Sequence, residues 1–374
     1  MAIKYLGKTS KQKLAGTALL RLDFNTKDNG RMLAVLPTIK LLLKTAGTIV
    51  VVSHRGRPAG VKLVDGTLRG FAKGLSLKKD AAALSRLIKR KVVFISHFRF
   101  NEITKQVAAA PRGSVFLLEN LRFLKGEEAN DPRLAKQLAS LADYYVNDAF
   151  AVSHRANASI AAITKFLPHY AGLELEKEIV SLSLVMRAPK RPLVVILGGA
   201  KAGDKLGVIK YFTTRTDWFL LGGGPANTIL TLRGVNMKRS IRDTDPRDLA
   251  SLKKIVHGRN LVLPSDFVWK GEIALDIGPK TIAQFAKKIA AARTILWSGP
   301  LGLIEKKKYA HGNIAVVRAI GRNRRAFSVA GGGETVMFLR HYNLHKKFSF
   351  ISTGGGAMID FLAGKRLPGI VALE

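Results

Sequence analysis

The chain has 374 residues, no cysteine, 47% hydrophobic residues, and a formal charge of +36 from 62 Lys and Arg against 26 Asp and Glu. No cysteine means no disulfide framework and no thiolate metal site, and no apolar run reaches the roughly 18 residues of a membrane span. The N-terminal MAIKYLGKTS lacks the apolar core of a signal peptide, so a cytoplasmic protein is expected.

The length suggests two or three domains, at roughly 100–200 residues each. The charge is uneven: residues 1–100 hold 21 basic and 4 acidic side chains, residues 101–200 hold 12 and 10, and residues 201–350 hold 27 and 10. Such a charge favours anionic ligands and non-specific contact with nucleic acid. It exceeds what one substrate site needs, and a basic bias of the whole surface is the simpler account. No zinc finger, RNP aromatic set or isolated basic tail accompanies it.

The first half alternates strand-like and helix-like runs. Ala18-Leu19-Leu20-Arg21-Leu22 ends in Asp23-Phe24-Asn25. A helix is expected after Arg31, with Leu33, Leu36, Ile39 and Leu43 on one stripe. Residues 48–52 form a strand running into Ser53-His54-Arg55-Gly56-Arg57-Pro58. A helix over 76–88 follows, then strands over 92–95 and 115–118, the latter ending in Glu119-Asn120-Leu121-Arg122. Residues 143–146 end in Asn147-Asp148, with His154-Arg155 close behind. Alternating strands and helices predict a parallel sheet covered on both faces. Ligands of such sheets sit beyond the carboxyl ends of the strands. Arg21, Arg31, His54, Arg57, Arg122, His154 and Arg155 could thus converge on one small, highly charged anion, which arginine's planar fork suits.

Residues 172–188 read as an interdomain helix, stopped by Pro189 and Pro192. The next stretch, LVVILGGAKAGDKLGVIKYF over 193–212, is a buried strand, a glycine turn and a helix. In that arrangement backbone N–H groups and a helix N-terminus face a phosphate, with Lys201 and Lys205 adding charge. Gly198 and Gly203 have P-loop spacing, but Asp204-Lys205 stands where Lys and Ser or Thr belong. A plain strand-to-helix turn with two solvated lysines fits the stretch equally well. Later strands end in Gly222-Gly223-Gly224, Pro264-Ser265-Asp266, Ser298-Gly299-Pro300, Gly331-Gly332-Gly333 and Gly354-Gly355-Gly356. Glycine at strand after strand opens a crevice where a flat ligand lies on bare backbone. One half offers arginine and histidine, the other glycine and lysine, so two substrates brought together by closure are expected.

These blocks resemble phosphoglycerate kinases nearly end to end. The resemblance rests on Arg21 to Asn25, Ser53 to Pro58 (the family's SHLGRP), Leu118 to Phe123 with Gly126-Glu127-Glu128, and Val146 to Phe150 with His154-Arg155-Ala156. It continues in Gly198 to Lys201 with Asp204-Lys205, Asp276 to Thr281, Trp297 to Glu305, Gly331 to Thr335 and Ser352 to Ala357. It implies an α/β fold of two doubly wound parallel-sheet domains joined by a hinge helix. The phosphoglycerate domain would span residues 1–171, the helix 172–188 and the nucleotide domain 189–357. Residues 358–374 would form a C-terminal segment returning to the first domain. It implies transfer of a phosphoryl group between 1,3-bisphosphoglycerate and ADP, giving 3-phosphoglycerate and ATP, in a monomer with Mg2+. Asp23, Asn25, Arg31, His54, Arg57, Arg122 and Arg155 would bind the phosphoglycerate. Gly199, Ala200, Lys201, Lys205, Gly223, Gly299, Pro300, Glu305, Gly332, Gly333, Glu334 and Thr335 would bind the nucleotide. Arg31, Lys201 and Gly332 would be catalytic, Glu334 would hold the metal and Glu305 the ribose.

The chain departs from that pattern at several points. Glu334 replaces Asp, Ser298 replaces Asn, and Asn157 replaces a second histidine. Ala151-Val152 replaces Gly-Thr, Pro225 replaces Met, Arg55 replaces an apolar residue, and the loop from Asn25 to Arg31 is short. Two alternatives therefore stand beside an active kinase: a degenerate or altered acyl-phosphate kinase, and a basic nucleic-acid-binding protein of the same fold.

Overall fold

The computed structural model describes residues 2–26, 29–58, 62–64, 66–69 and 74–374. Lys27 and Asp28, in the short loop before Arg31, lie outside these. The chain divides into two compact units, Met1–Ile179 with Arg366–Glu374, and Val180–Lys365. The division falls inside the helix Leu173–Arg187. Residues 358–365 group with the second unit, where the helix Gly356–Leu362 packs against Leu206–Phe212.

The first unit is built on β1 (Thr17–Arg21), β2 (Thr48–Val52), a small antiparallel hairpin of β3 (Lys62–Val64) and β4 (Thr67–Arg69), β5 (Val92–Ile95), β6 (Ser114–Leu118), β7 (Tyr144–Asn147) and β8 (His169–Ala171). Six of these form one parallel sheet in the order β5-β6-β2-β1-β7-β8. The second unit contains β9 (Leu193–Leu197), β10 (Trp218–Leu221), β11 (Leu261–Val262), β12 (Phe267–Lys270), β13 (Ile273–Ile277), β14 (Thr294–Ser298), β15 (Phe327–Gly331) and β16 (Phe350–Ile351). Its parallel sheet runs β11-β10-β9-β14-β15-β16, and β12 pairs antiparallel with β13 outside it. Every residue of β2, β9 and β14 is buried. β9 is an unbroken Leu, Val and Ile run and the other two are apolar through their middles, as strands covered on both faces require, and each buried Val, Ile or Leu contributes about 1.5–3 kcal/mol.

In each sheet the chain winds outward one way and then reverses. The reversal falls between β1 and β7 in the first unit, and between β9 and β14 in the second. There the outgoing connections diverge and a crevice opens beyond the strand ends.

Besides β8 and the β3–β4 hairpin, which the sequence reading does not include, two elements differ from expectation. The helix after Arg31 is broken into Gly30–Ala34 and Leu36–Thr45, and Leu33 is 51% exposed rather than on a buried stripe. Pro37 explains the break: it lacks an N–H and stands at the start of the second piece. The β12–β13 hairpin was not anticipated.

Candidate functional site

Beyond β1 and β7 the side chains interlock. Arg21, the last residue of β1, is 1% exposed. Its Nε donates to Ser159 Oγ at 2.8 Å, Nη1 donates to the Leu22 carbonyl, and Nη2 donates to His54 Nδ1 at 3.2 Å. Glu127, fully buried, lies 3.7 Å from Arg21 Nη2 and accepts from Ser159 N and Oγ at 3.0 and 2.6 Å. Arg21 is thus neutralised and engaged inside the protein. It orients His54, whereas the sequence placed it among the anion binders.

Arginine can only donate, so His54 Nδ1 accepts and the ring proton resides on Nε2. That Nε2 is buried and has no partner among the described residues. Burial, then the charges of Arg21, Arg122, Arg155 and Arg31, holds the His54 pKa well below its ordinary value. Asp23 Oδ1 at 3.8 Å would pair with a protonated ring, but the surrounding arginines disfavour that form. His54 therefore offers a neutral N–H at neutral pH.

Asp23 organises the rest. Its Oδ1 accepts from Asn25 N at 2.7 Å, and its Oδ2 accepts from Arg31 Nη1 at 2.7 Å, which also reaches the Asn25 carbonyl at 3.1 Å. Asn25 Oδ1 accepts from Gly56 N at 2.9 Å, and Arg122 Nη1 donates to Gly56 O at 2.5 Å. Arg122 Nε and Arg155 Nη1 share Glu128 Oε1 at 3.3 and 4.0 Å. Arg57, by contrast, is exposed and makes no hydrogen bond or ion pair among the described residues. Glu127 and Ser159 were missed as contributors to the site. Their spacing of 32 residues carries no local signal.

The second crevice is built from backbone. The turns after β9 and β14 touch: Gly198 N donates to Ser298 O at 3.1 Å and Gly199 N to Pro300 O at 2.7 Å. A Cβ on Gly198 would fall 2.1 Å from Pro300 O, so only glycine permits this approach. Gly223 N donates to Leu301 O and Gly224 N to Gly199 O, at 3.1 and 2.8 Å. Gly299 N donates to Thr335 Oγ1 at 2.8 Å. These N–H groups tie the crevice floor together, so the expectation that the Gly198-Gly199 turn points its N–H groups at an anion is not met. The first turn of the helix Gly333–His341, which follows Gly332 at φ +96° and lines the crevice, leaves its N–H groups without partners inside the helix.

Lys205 is half-buried and donates to Ser298 Oγ at 3.1 Å. Burial lowers its pKa, while the charges of Asp204 and Glu334 oppose that shift. Lys201 is exposed and lines the same cavity of about 430 Å3 as Gly332, Gly333, Glu334 and Thr335. A second cavity, of about 160 Å3, is lined by Gly223, Ile241, Phe267, Leu303 and Glu305, and it shares Gly199, Ala200 and Glu334 with the first. A charged, lysine-flanked chamber thus opens into an apolar one, as a nucleotide's phosphates and base require.

Among the described residues no group of three or more His, Asp or Glu could by itself cage a metal ion. Mg2+ is ordinarily held by one or two carboxylates together with substrate phosphates. Glu334, an exposed carboxylate at the cavity and in the first turn of its helix, fits that minimal donor set.

A family model described as phosphoglycerate kinase matches residues 13–365. The chain is 40% identical to phosphoglycerate kinases of Dictyoglomus turgidum and of Moorella thermoacetica, each over 95% of both chains. It superposes on the phosphoglycerate kinase structure from Coxiella burnetii with a TM-score of 0.84 at 31% identity, covering 100% of this chain and 99% of that one. For the structure from Pyrococcus horikoshii the TM-score is 0.82 at 28% identity, covering 99% and 98%.

Proposed function

This chain belongs to the phosphoglycerate kinase family, and we propose that its first unit binds the phosphoglycerate and its second the nucleotide. The reaction is reversible phosphoryl transfer from 1,3-bisphosphoglycerate to ADP, giving 3-phosphoglycerate and ATP. It needs alignment and charge neutralisation more than covalent help. The arrangement of donors in the first unit carries the assignment: a neutral histidine N–H without a partner among the described residues, beside Arg31, held by Asp23 and the Asn25 carbonyl, and beside Arg122 and Arg155, which share Glu128.

In this reading Arg122, Arg155, Arg57 and the His54 Nε2–H fix the phosphate and carboxylate of the substrate. Arg31 bridges the carboxyl oxygen and the transferring phosphoryl group after the units close about the helix. Lys201 follows the charge from the nucleotide side, Gly332 and the helix turn after it face the phosphates, and Lys205 adds charge. Mg2+, held by Glu334 with the nucleotide, would neutralise the phosphate oxygens, and Glu305 would take the ribose. Glu334 has the charge of an aspartate on a longer arm. The apolar chamber at Phe267 and Leu303 suits the base.

A coupled assay of ATP formation tests this. Arg31→Ala should lower kcat by about two to three orders of magnitude with a smaller change in nucleotide affinity; an unchanged kcat removes Arg31 from the reaction. No turnover at all in the intact chain would favour the degenerate kinase.

A monomeric, cytoplasmic enzyme is part of the same proposal, and sedimentation at 40.7 kDa would agree with it. The first unit holds 31 basic and 15 acidic residues, the second 31 and 11. So even a spread favours a general surface bias, and nucleic acid enters only as a non-specific contact. Its affinity for duplex DNA should fall by orders of magnitude between about 50 and 200 mM salt.

A further inference from the structure

Arg55 stands where the family's motif has an apolar residue, and the substrate scheme above gives it no role. Each nitrogen of its guanidinium nonetheless donates to a protein atom. Nε and Nη2 fork onto Asp80 Oδ2 and Oδ1 at 3.2 and 2.5 Å, and Nη1 donates to the Thr26 carbonyl at 3.1 Å. Asp80 is 8% exposed and sits in the first turn of the helix Lys78–Ile88, where the helix dipole also favours its charge.

The main chain of Arg55 is anchored independently. Its N–H donates to Asn120 Oδ1 at 3.1 Å, and its carbonyl accepts from Asn120 Nδ2 at 2.7 Å. Asn120 also accepts from Arg122 N at 3.1 Å, so the anchor is continuous with the substrate-side arginines. From this fixed point two bonds reach consecutive residues of the loop that leads to Arg31. Gly56 N meets Asn25 Oδ1 at 2.9 Å, and Arg55 Nη1 meets Thr26 O. The Asn25 carbonyl in turn accepts from Arg31 Nη1 at 3.1 Å.

We propose that the Arg55–Asp80 pair is a strut that holds Asn25 and Thr26, and through them Arg31, in place for the phosphoglycerate. Arg55 is a positioning residue. Asp80 cancels its charge, each guanidinium nitrogen is engaged by a protein atom, and an apolar side chain there could not donate to the Thr26 carbonyl. The strut belongs to this chain's version of the motif, beside a loop that is short for the family. The inference rests on the assignment of Arg31 made above.

Steady-state kinetics on Arg55→Leu, Arg55→Lys and Asp80→Asn test it. Each should raise KM for 3-phosphoglycerate about tenfold, the order of one lost charge-assisted hydrogen bond, and leave KM for ATP within about twofold. Lysine should not rescue, because it keeps the charge and loses the fork. In an Arg31→Ala background Arg55→Leu should add little, since both act through one group. A full tenfold effect there, an equal rise in both KM values, or an unchanged KM for 3-phosphoglycerate would each overturn the strut. Should Arg55→Leu not fold, the other two variants carry the same comparison. If Arg31→Ala itself is silent, the failure lies with the assignment of Arg31; if Arg31→Ala is crippling and Arg55→Leu silent, only the strut is wrong.

Discussion

The two crevices occupy equivalent places, each at the reversal point of a six-stranded parallel sheet, yet they are made of different material. Beyond β1 and β7 the walls are charged side chains, held by other side chains and by carbonyls. Beyond β9 and β14 the floor is main chain, drawn together by hydrogen bonds between glycine turns. The first crevice depends on the identity and pairing of ions, the second on the absence of Cβ atoms. In the proposed reaction the same partner, an anionic phosphate, would be met by side-chain donors in one and by a helix end with few cations in the other.

That contrast predicts different ways to fail. Glu127→Gln in the first unit would leave the Arg21 guanidinium buried without its counter-charge. The expected loss is about 3–5 kcal/mol of stability, read as a lower denaturant midpoint for that unit. No shift would mean that Arg21 is compensated elsewhere and that the side-chain account of the first crevice is wrong.

In the second unit added bulk should replace lost charge as the lesion. Gly198→Ala places a Cβ 2.1 Å from Pro300 O and should destabilise by about 1–3 kcal/mol or more through forced separation of the two turns. Gly333 has nothing within 4 Å of its hypothetical Cβ. Gly333→Ala should therefore keep the stability and alter only the nucleotide KM. If both alanine variants unfold at the same denaturant concentration, the close packing of the turns is not what glycine supplies there.

How far the sequence exposed this contrast depends on the range of the interactions. The strands were legible because burial on both faces demands apolar runs, and the strand-end residues followed from the parallel sheet. The break at Pro37 was also written in the chain, since proline cannot continue a helix, but the apolar stripe masked it. What could not be read is which groups satisfy one another. Arg21 looked like a ligand for anions until Ser159 and Glu127, more than a hundred residues away, were found to occupy it. Gly198 and Gly199 looked like phosphate donors until Ser298 and Pro300 were found to take their N–H groups. Pairing of that kind is tertiary, and composition at a strand end is blind to it.

Protonation should act with opposite sign on a group from each unit. The His54 pKa is lowered in the fold, so the unfolded chain binds more protons below its ordinary value of about 6.5. His54 should cost nothing above that pH and lose stability as pH falls below it toward the folded value. Asp276, a buried residue of β13, has a pKa raised to about 7 by desolvation. Its contribution should be full below the ordinary carboxylate range and be lost as pH rises through about 7. Wild type compared with His54→Gln and with Asp276→Asn, each across pH 4 to 8, isolates the two slopes. Equal slopes for a variant and wild type would show that its group titrates as in the unfolded chain.

The smallest expected effect separates local charge from the surface bias. Near the first crevice Arg122 and Arg155 share one half-exposed carboxylate, Glu128, so positive charge is in excess. In the second, Lys201 and Lys205 line a cavity with Asp204, Glu334 and Asp360, and the balance is near neutral. Raising potassium acetate from about 50 to 200 mM shortens the screening length to below 10 Å. It should then raise KM for 3-phosphoglycerate several-fold and KM for ATP by less than about twofold. If the two rise in parallel, the charge that substrates sense is the diffuse excess of the whole surface, and the arginine cluster adds geometry without adding a field of its own.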